Sequence, residues 1–243
     1  MPALPRNAAA LRNWAHPGDD AVELSRLEAY LPPLLSVIAG MVDLTGFLTL
    51  GHIFTAHITG NLVVVSAVAV QGGPLNVAQA LAIPVFVLAL AFVWLIAQAS
   101  RRRGPSLARL LLWVQFLELA TVLIFSVITK PSTGQHTPMA GIAVMIAVSA
   151  MACQYALLRL AIPGAISTAV MTGNLTNTVL SLMDLLSRRD PLLPVDAGRL
   201  RRSLYLLFGF LIGCVVAAAA VSLLGDWAWS LPVVLAALAI AVR

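Results

Sequence analysis

Two carboxylates in apolar surroundings, and one tripeptide written twice, are the places where this chain could do chemistry. Asp43 lies inside the apolar run 31–50, and Glu118 lies inside the run 107–128 with Gln115 three positions before it. An acid in such a run costs about 3 kcal/mol even on insertion scales, so it faces other protein, pairs, or titrates. Proton or cation handling is the chemistry this suggests. Thr59-Gly60-Asn61 and Thr172-Gly173-Asn174 each set a glycine among hydroxyl and amide groups in an apolar run. Irregular backbone at membrane depth survives only against protein or a water-filled cavity, so these motifs read as helix breaks whose freed amides and carbonyls face a solute. The competing reading is tight helix packing, with Thr and Asn bonding across the contact.

Other reactive residue types are less promising. His52 and His57 flank the turn before the first Thr-Gly-Asn, without a second ligand at metal-motif spacing. They are expected to be loop histidines, although a proton relay with Asp43 is chemically open to them. Cys153 and Cys214 lie in apolar runs and read as small buried residues. Asp184, near Arg188 and Arg189, reads as an interfacial ion pair. No nucleophile elbow, phosphate loop or dinucleotide fingerprint is present, so neither an enzyme, a metal nor a cofactor is expected.

The elements that must position these residues are duplicated. Residues 39–62 align without a gap on residues 152–175, with ten identical positions that include Gly51 with Gly164 and both Thr-Gly-Asn motifs. Such a repeat is read before any fold assignment. Asp43 aligns with Ala156, so the acid belongs to one half alone.

Of 243 residues, 60% are hydrophobic and 10% charged, which excludes an ordinary soluble domain. Eight apolar segments follow one another, at about 31–50, 53–70, 78–99, 107–128, 139–161, 166–186, 204–224 and 227–242. The expected fold is all-α, a polytopic integral membrane helix bundle built from two internal repeats, 31–129 and 130–243. Residues 1–30 form a polar N-terminal cytoplasmic segment, in which 21–30 suits a short surface helix or a solvated lead-in. Those residues lack a secretory signal pattern. The net charge of +5 comes from arginines clustered beside apolar segments, so the implied partner is the bilayer and not nucleic acid.

Three segments separate Arg101–Arg103 from the cluster that runs from Arg188 to Arg202. If both clusters are cytoplasmic, the two Thr-Gly-Asn segments do not cross, leaving six full crossings in inverted three-crossing units. Eight full crossings would instead give parallel repeats and one misplaced cluster. Both arrangements occur in transporters, and the sequence leaves the choice between six and eight open.

Gly40-x-x-Asp43, Phe54 and Thr59-Gly60-Asn61, with Ser167-Thr168 ahead of Thr172-Gly173-Asn174, resemble the YoaK-like family of small bacterial multi-pass membrane proteins. The resemblance covers roughly residues 30–225. Family members commonly carry Gly-x-Gln-Asn-Ala ahead of the second copy, where this chain reads Ala152-Cys153-Gln154-Tyr155-Ala156. What it implies is a bacterial inner-membrane location; it implies no activity.

The functional expectation is a small-solute transporter or permease, proton- or cation-coupled, with solute or ion contacts at Asp43, Thr59, Gly60, Asn61, Thr172, Gly173, Asn174 and Glu118. The alternative is a non-transporting scaffold, assembly factor or sensor. Either is compatible with a homo-oligomer.

Overall fold

The structure is a computed structural model that describes residues 17–74, 76–133, 138–162, 164–168, 171–187 and 197–241. Its helices are α1 (Pro17–Thr49), α2 (Ile58–Gln71), α3 (Val77–Ser100), α4 (Gly104–Thr129), α5 (Pro138–Ala161), α6 (Met171–Ser187), α7 (Ala197–Leu224) and α8 (Ser230–Ala241). Short 3-10 turns occupy Pro131–Thr133 and Gly225–Trp229. The chain is an all-helical membrane bundle. The stretches long and apolar enough to cross are Ala29–Thr49, Val77–Ser100, Gly104–Thr129, Pro138–Ala161 and the 42-residue Leu200–Ala241, which contains α7, the 3-10 turn and α8.

Two expectations at element level need correction. Residues 21–30 are not a separate helix; they are continuous with α1, whose stretch apolar enough to cross starts at Ala29. The second apolar segment is not helical from residue 53, because residues 50–57 form an irregular connection and α2 starts at Ile58. Gly51 at φ 90° and His52 at φ 60° turn the chain there. The glycine adopts that left-handed conformation without the steric cost a Cβ would carry.

Burial separates centre from rim. In α1 and α5, 67% of the spanning window is buried, against 22% in α3, 33% in α4 and 28% in Leu200–Ala241. Alanines at 140, 143, 147, 150, 152, 156 and 161 let α5 approach its neighbours on several sides at once. The outer helices turn large apolar side chains outward, such as Val87, Phe92, Leu117, Phe208 and Val215, as a lipid-facing surface requires.

Helix directions follow from the contacts. A Cβ on Gly213 would overlap the Val37 carbonyl, one on Gly209 would crowd the Pro33 carbonyl, and one on Gly40 would overlap the Phe210 carbonyl, so α1 and α7 run parallel with backbones in near contact. Helices α3 and α5 also run parallel, with Gly141 beside Ala78 and Tyr155 against Phe86. Helices α4 and α5 are antiparallel, because Cys153 bonds the Leu111 carbonyl while Ser149 bonds Glu118. The 3-10 turn after α7 reverses the chain, and α8 packs back along α4 and α1.

These directions give the bundle two distinct ends. At one end Asn76 Nδ2 donates to the Gly51 carbonyl (3.3 Å), Asp226 accepts from the Ser132 hydroxyl (2.6 Å), and Trp229 Nε1 donates to Thr49 Oγ1 (3.3 Å). This is the loop end. At the other, the arginine end, α1 passes Tyr30 into its apolar part, α3 ends before Arg101–Arg103, and the first turns of α7 carry Arg201 and Arg202. The connection containing α2 starts and finishes at the loop end. Residues 164–166, which lead into α6, lie with Arg201 at the arginine end, where α7 also begins.

Candidate functional site

The connection after α1 dips back along its own helix to reach Asp43. Asp43 Oδ1 accepts from the backbone amides of Thr55 (2.8 Å), Ala56 (2.7 Å) and His57 (3.3 Å), and Oδ2 lies 2.6 Å from His57 Nδ1. Asp43 sits six residues before the end of α1, so the loop descends about 10 Å into the bundle at 1.5 Å per residue. Three amides converge on one carboxylate oxygen just ahead of α2, where a negative charge is also favoured by the helix dipole. Asp43 is therefore paired, one of the outcomes its place in an apolar run allows, and it is the fastening point of the loop. His57 is half-buried, pairs with Asp43, and also stacks edge-on against Phe210 of α7. His52 is an exposed loop residue, as its sequence context suggests.

The Thr-Gly-Asn residues divide their work. Asn61 is fully buried and clasps one backbone unit twice: Phe54 N donates to Asn61 Oδ1 (2.9 Å), and Asn61 Nδ2 donates to the Phe54 carbonyl (2.7 Å). Gly60 leaves room for the Phe54 ring against the first turn of α2, since a Cβ there would lie 3.0 Å from that ring. Thr59 is exposed. In the second copy Asn174 is buried and its Nδ2 donates to the Ser167 carbonyl (3.0 Å), the same seven-residue reach backward. Thr172 is again exposed, and Gly173 is half-buried. Helices α2 and α6 begin at Ile58 and Met171, which are separated by the 113 positions that separate the two motifs.

Both loops are tied to consecutive residues of α5. The Tyr155 hydroxyl donates to the Ala56 carbonyl of the first loop (3.1 Å), and Gln154 Nε2 contacts Thr168 Oγ1 of the second (3.3 Å). Gln154 is also bonded to the Leu35 carbonyl (2.9 Å) and to Gln115 Nε2 (2.7 Å). This links α1, α4, α5 and the second loop through one fully buried amide. Buried amides of this kind are costly unless satisfied, so they fix the register of the helices they join.

Glu118 sits one turn beyond Gln115 on α4 and accepts from Ser149 of α5. Its other oxygen, Oε2, and Gln115 Oε1 are buried without a hydrogen-bond partner among the described residues. The hydroxyls of Thr45 on α1 and of Thr55 in the loop are buried and also lack a partner among the described residues. Glu118 and Asp43 thus occupy separate sites: one at the α4–α5 contact, the other under the first loop. Asp184 is exposed on α6, while Arg188 and Arg189 lie outside the described residues, as does the proposed ion pair.

A cleft of about 390 Å³ opens at the arginine end between the entry to α1, the loop 164–166 and the start of α7. Tyr30, Pro33, Gly164, Ile166, Arg201 and Tyr205 are among its walls; neither Asp43, Glu118 nor a Thr-Gly-Asn residue is. Among the described residues no group of three metal-ligating side chains occurs.

Gln154, Tyr155 and the α1–α7 glycines escape the sequence reading. The glycines had a signal: Ser36 and Gly40, and Gly209 and Gly213, are four-apart small residues that mark close helix crossings. Gln154 and Tyr155 stood inside the compared family motif but carried no spacing cue.

A family model described as "Protein of unknown function (DUF1275)" matches residues 31–242. Over 38 residues the chain is 55% identical to the UPF0700 transmembrane protein YoaK of Bacillus subtilis (strain 168), a match that covers 14% of this chain and 17% of that relative. The resemblance read from Asp43 and the Thr-Gly-Asn motifs is borne out. No solved structure matches.

Proposed function

The chain belongs to the DUF1275 family of multi-pass membrane proteins of unknown function, and we propose that it is a small-solute permease of the bacterial inner membrane built from inverted repeats. In this reading α1, α3, α4, α5, α7 and α8 are six crossings. The α2 and α6 connections enter from opposite ends and return. The arginine end, with the N-terminus, faces the cytoplasm under the positive-inside rule.

One observation carries the reading. The two broken-helix loops descend from opposite ends and are received by adjacent residues, Tyr155 and Gln154, of the central helix α5. The contact pattern supports the inversion: α1 against α7 is answered by α3 against α5, and α4 against α5 by α8 against α1. Paired interruptions around an axis in the membrane plane are the geometry from which alternating access is built. Asp43–His57 at the first loop and Glu118 beside α5 are the groups assigned to proton or cation coupling. No catalytic step is part of the reading.

The second reading, a non-transporting scaffold, also has a specific support. Asn61 and Asn174 spend their amides on loop backbone, and the cleft does not reach them.

Flux separates the two readings. Purified protein in proteoliposomes is assayed by stopped-flow light scattering with neutral, anionic and cationic small solutes. Saturable, protein-dependent entry of one class is expected. Folded protein that passes none of them leaves the scaffold standing. Topology is tested by labelling cysteines at Arg102, Arg201 and Gly73 in whole cells after replacing Cys153 and Cys214. Only the cysteine at Gly73 should label from outside, and external labelling at either arginine position removes the inverted six-crossing arrangement.

A further inference from the structure

We propose that Glu118 binds a proton in the middle of the bundle, as the donor on which a series of buried amides ends. This deepens the permease reading, and rests on it only for the use of the proton in coupling. The series starts at the Leu35 carbonyl of α1, which can only accept. Gln154 must therefore turn its Nε2 to Leu35 (2.9 Å), which leaves its Oε1 for Gln115. Gln115 must in turn present its Nε2 to Gln154 (2.7 Å), and its own Oε1 is left needing a donor. Flipping either amide, or both, sets two acceptors against each other, so this order is forced by the Leu35 carbonyl.

Gln115 is fully buried, and neither its Oε1 nor Glu118 Oε2 has a donor among the described residues. The two residues stand three positions apart on α4, which makes their side chains neighbours on its surface. A proton on Oε2 turns an acceptor into a donor and completes the series. The ionised carboxylate would leave both oxygens stranded. Both oxygens of Asp43, by contrast, already have donors.

The surroundings supply no other compensation. Glu118 and its partner Ser149 stand near the middle of α4 and α5, where an uncompensated carboxylate is most costly. Among the described residues no basic side chain forms an ion pair with Glu118. From α5 it faces the Cys153 thiol, which donates to the Leu111 carbonyl. Helix α8 has no ionisable side chain, Asp43 of α1 is tied to the first loop, and Asp226 is bonded to Ser132 at the loop end. A hard metal cation takes about six oxygens, more than Gln115, Glu118 and Ser149 offer. The position suits coupling, because Gln154 also holds Thr168 of the second loop (3.3 Å). Losing the proton strands Gln115 and loosens the amides that fix this loop, and by linkage a loop that moves releases the proton more readily.

The test uses the full chain in phosphatidylcholine nanodiscs and reads infrared absorption at neutral pH, where exposed carboxyl groups are ionised. A protonated-carboxyl stretching band that shifts on deuteration is expected in the wild type and in Asp184→Asn, and should be lost in Glu118→Gln. Gln115→Leu, which removes the acceptor, should move the band toward the frequency of a free acid without removing it. Heavy-carbon glutamate should shift the wild-type band, which assigns it without a variant because Glu23 and Glu28 precede the apolar part of α1. A wild-type spectrum without the band overturns the proposal. So does a band that survives in folded Glu118→Gln, is unmoved by labelled glutamate, or is abolished by sodium at constant pH and ionic strength. Proton binding is read here without flux. Protein that shows the band but passes no solute sinks the permease reading alone, and flux without the band sinks this proposal alone.

Discussion

Replacing Asp43 should release the first loop, by an amount that its three backbone-amide contacts set at the least. Asp43→Leu keeps most of the volume and removes every acceptor. The Thr55 and Ala56 amides, at 2.8 and 2.7 Å, lose a charged partner while Thr55 is fully buried and Ala56 is 5% exposed. Hydrogen bonds to a charged group contribute about 1.5–3 kcal/mol each, and the longer His57 amide contact adds less. The total is about 3–5 kcal/mol, the scale on which a broken buried pair is costly. Asp43→Asn retains a carbonyl oxygen for the amides and loses the charge, for about 1–2 kcal/mol. Hydrogen–deuterium exchange in nanodiscs reads the loop directly. At about 1.4 kcal/mol per factor of ten, the Thr55, Ala56 and His57 amides should exchange about tenfold faster in the Asn variant and a hundredfold or more in the Leu variant. Asp184→Asn, at an exposed position of α6, is the control and should change nothing there. Wild-type exchange in Asp43→Leu, or equal effects of Asn and Leu, would refute the fastening role.

The other predictions address the remaining contacts. Gly213→Ala places a methyl group on the Val37 carbonyl, so α1 and α7 must separate, and melting in detergent should show a loss of about 1–3 kcal/mol; Gly72→Ala, with open space around it but φ 73°, should cost only about 1 kcal/mol of local strain. Asn61→Ala removes two strong bonds to Phe54, where Asn174→Ala removes one to the Ser167 carbonyl and a weak one to the Met171 sulfur, so the first should be the more destabilising by about 1 kcal/mol in the same assay. Glu118→Gln supplies a donor where two buried oxygens, Glu118 Oε2 and Gln115 Oε1, lack one among the described residues; it should fold with unchanged or raised stability, whereas Glu118→Leu strands Ser149 and should lose about 1–3 kcal/mol.

Membrane class, the extents of α3, α4 and α5, and the family were legible along the chain because each is a local property. Apolar run length sets crossing capacity whatever the neighbours. The Thr-Gly-Asn motifs, however, are not themselves the helix breaks they were expected to be: each lies in the first turn of its helix, and the irregular backbone precedes it. Locality also explains the misreadings. A carboxylate in an apolar run does not reveal its partners when its donors are backbone amides, since every residue but proline has one and none leaves a mark in the sequence. The amphipathic character of residues 21–30 could not show that the helix continues across Tyr30 into the membrane.

By itself the sequence determined the all-helical membrane class, the family and the two motifs 113 positions apart. The tertiary structure decided which groups meet. It brought Asp43 to the amides of residues 55–57, set the two loops on Gln154 and Tyr155, and placed the cleft beside Arg201 instead of beside either Thr-Gly-Asn. It also brought both ends of the α2 connection to one end of the bundle. The physical reason is that helix direction depends on long-range packing. The glycine crossing of α1 on α7 and the alanine faces of α5 fix which helices run parallel. That order exists only when elements far apart in the chain are in contact.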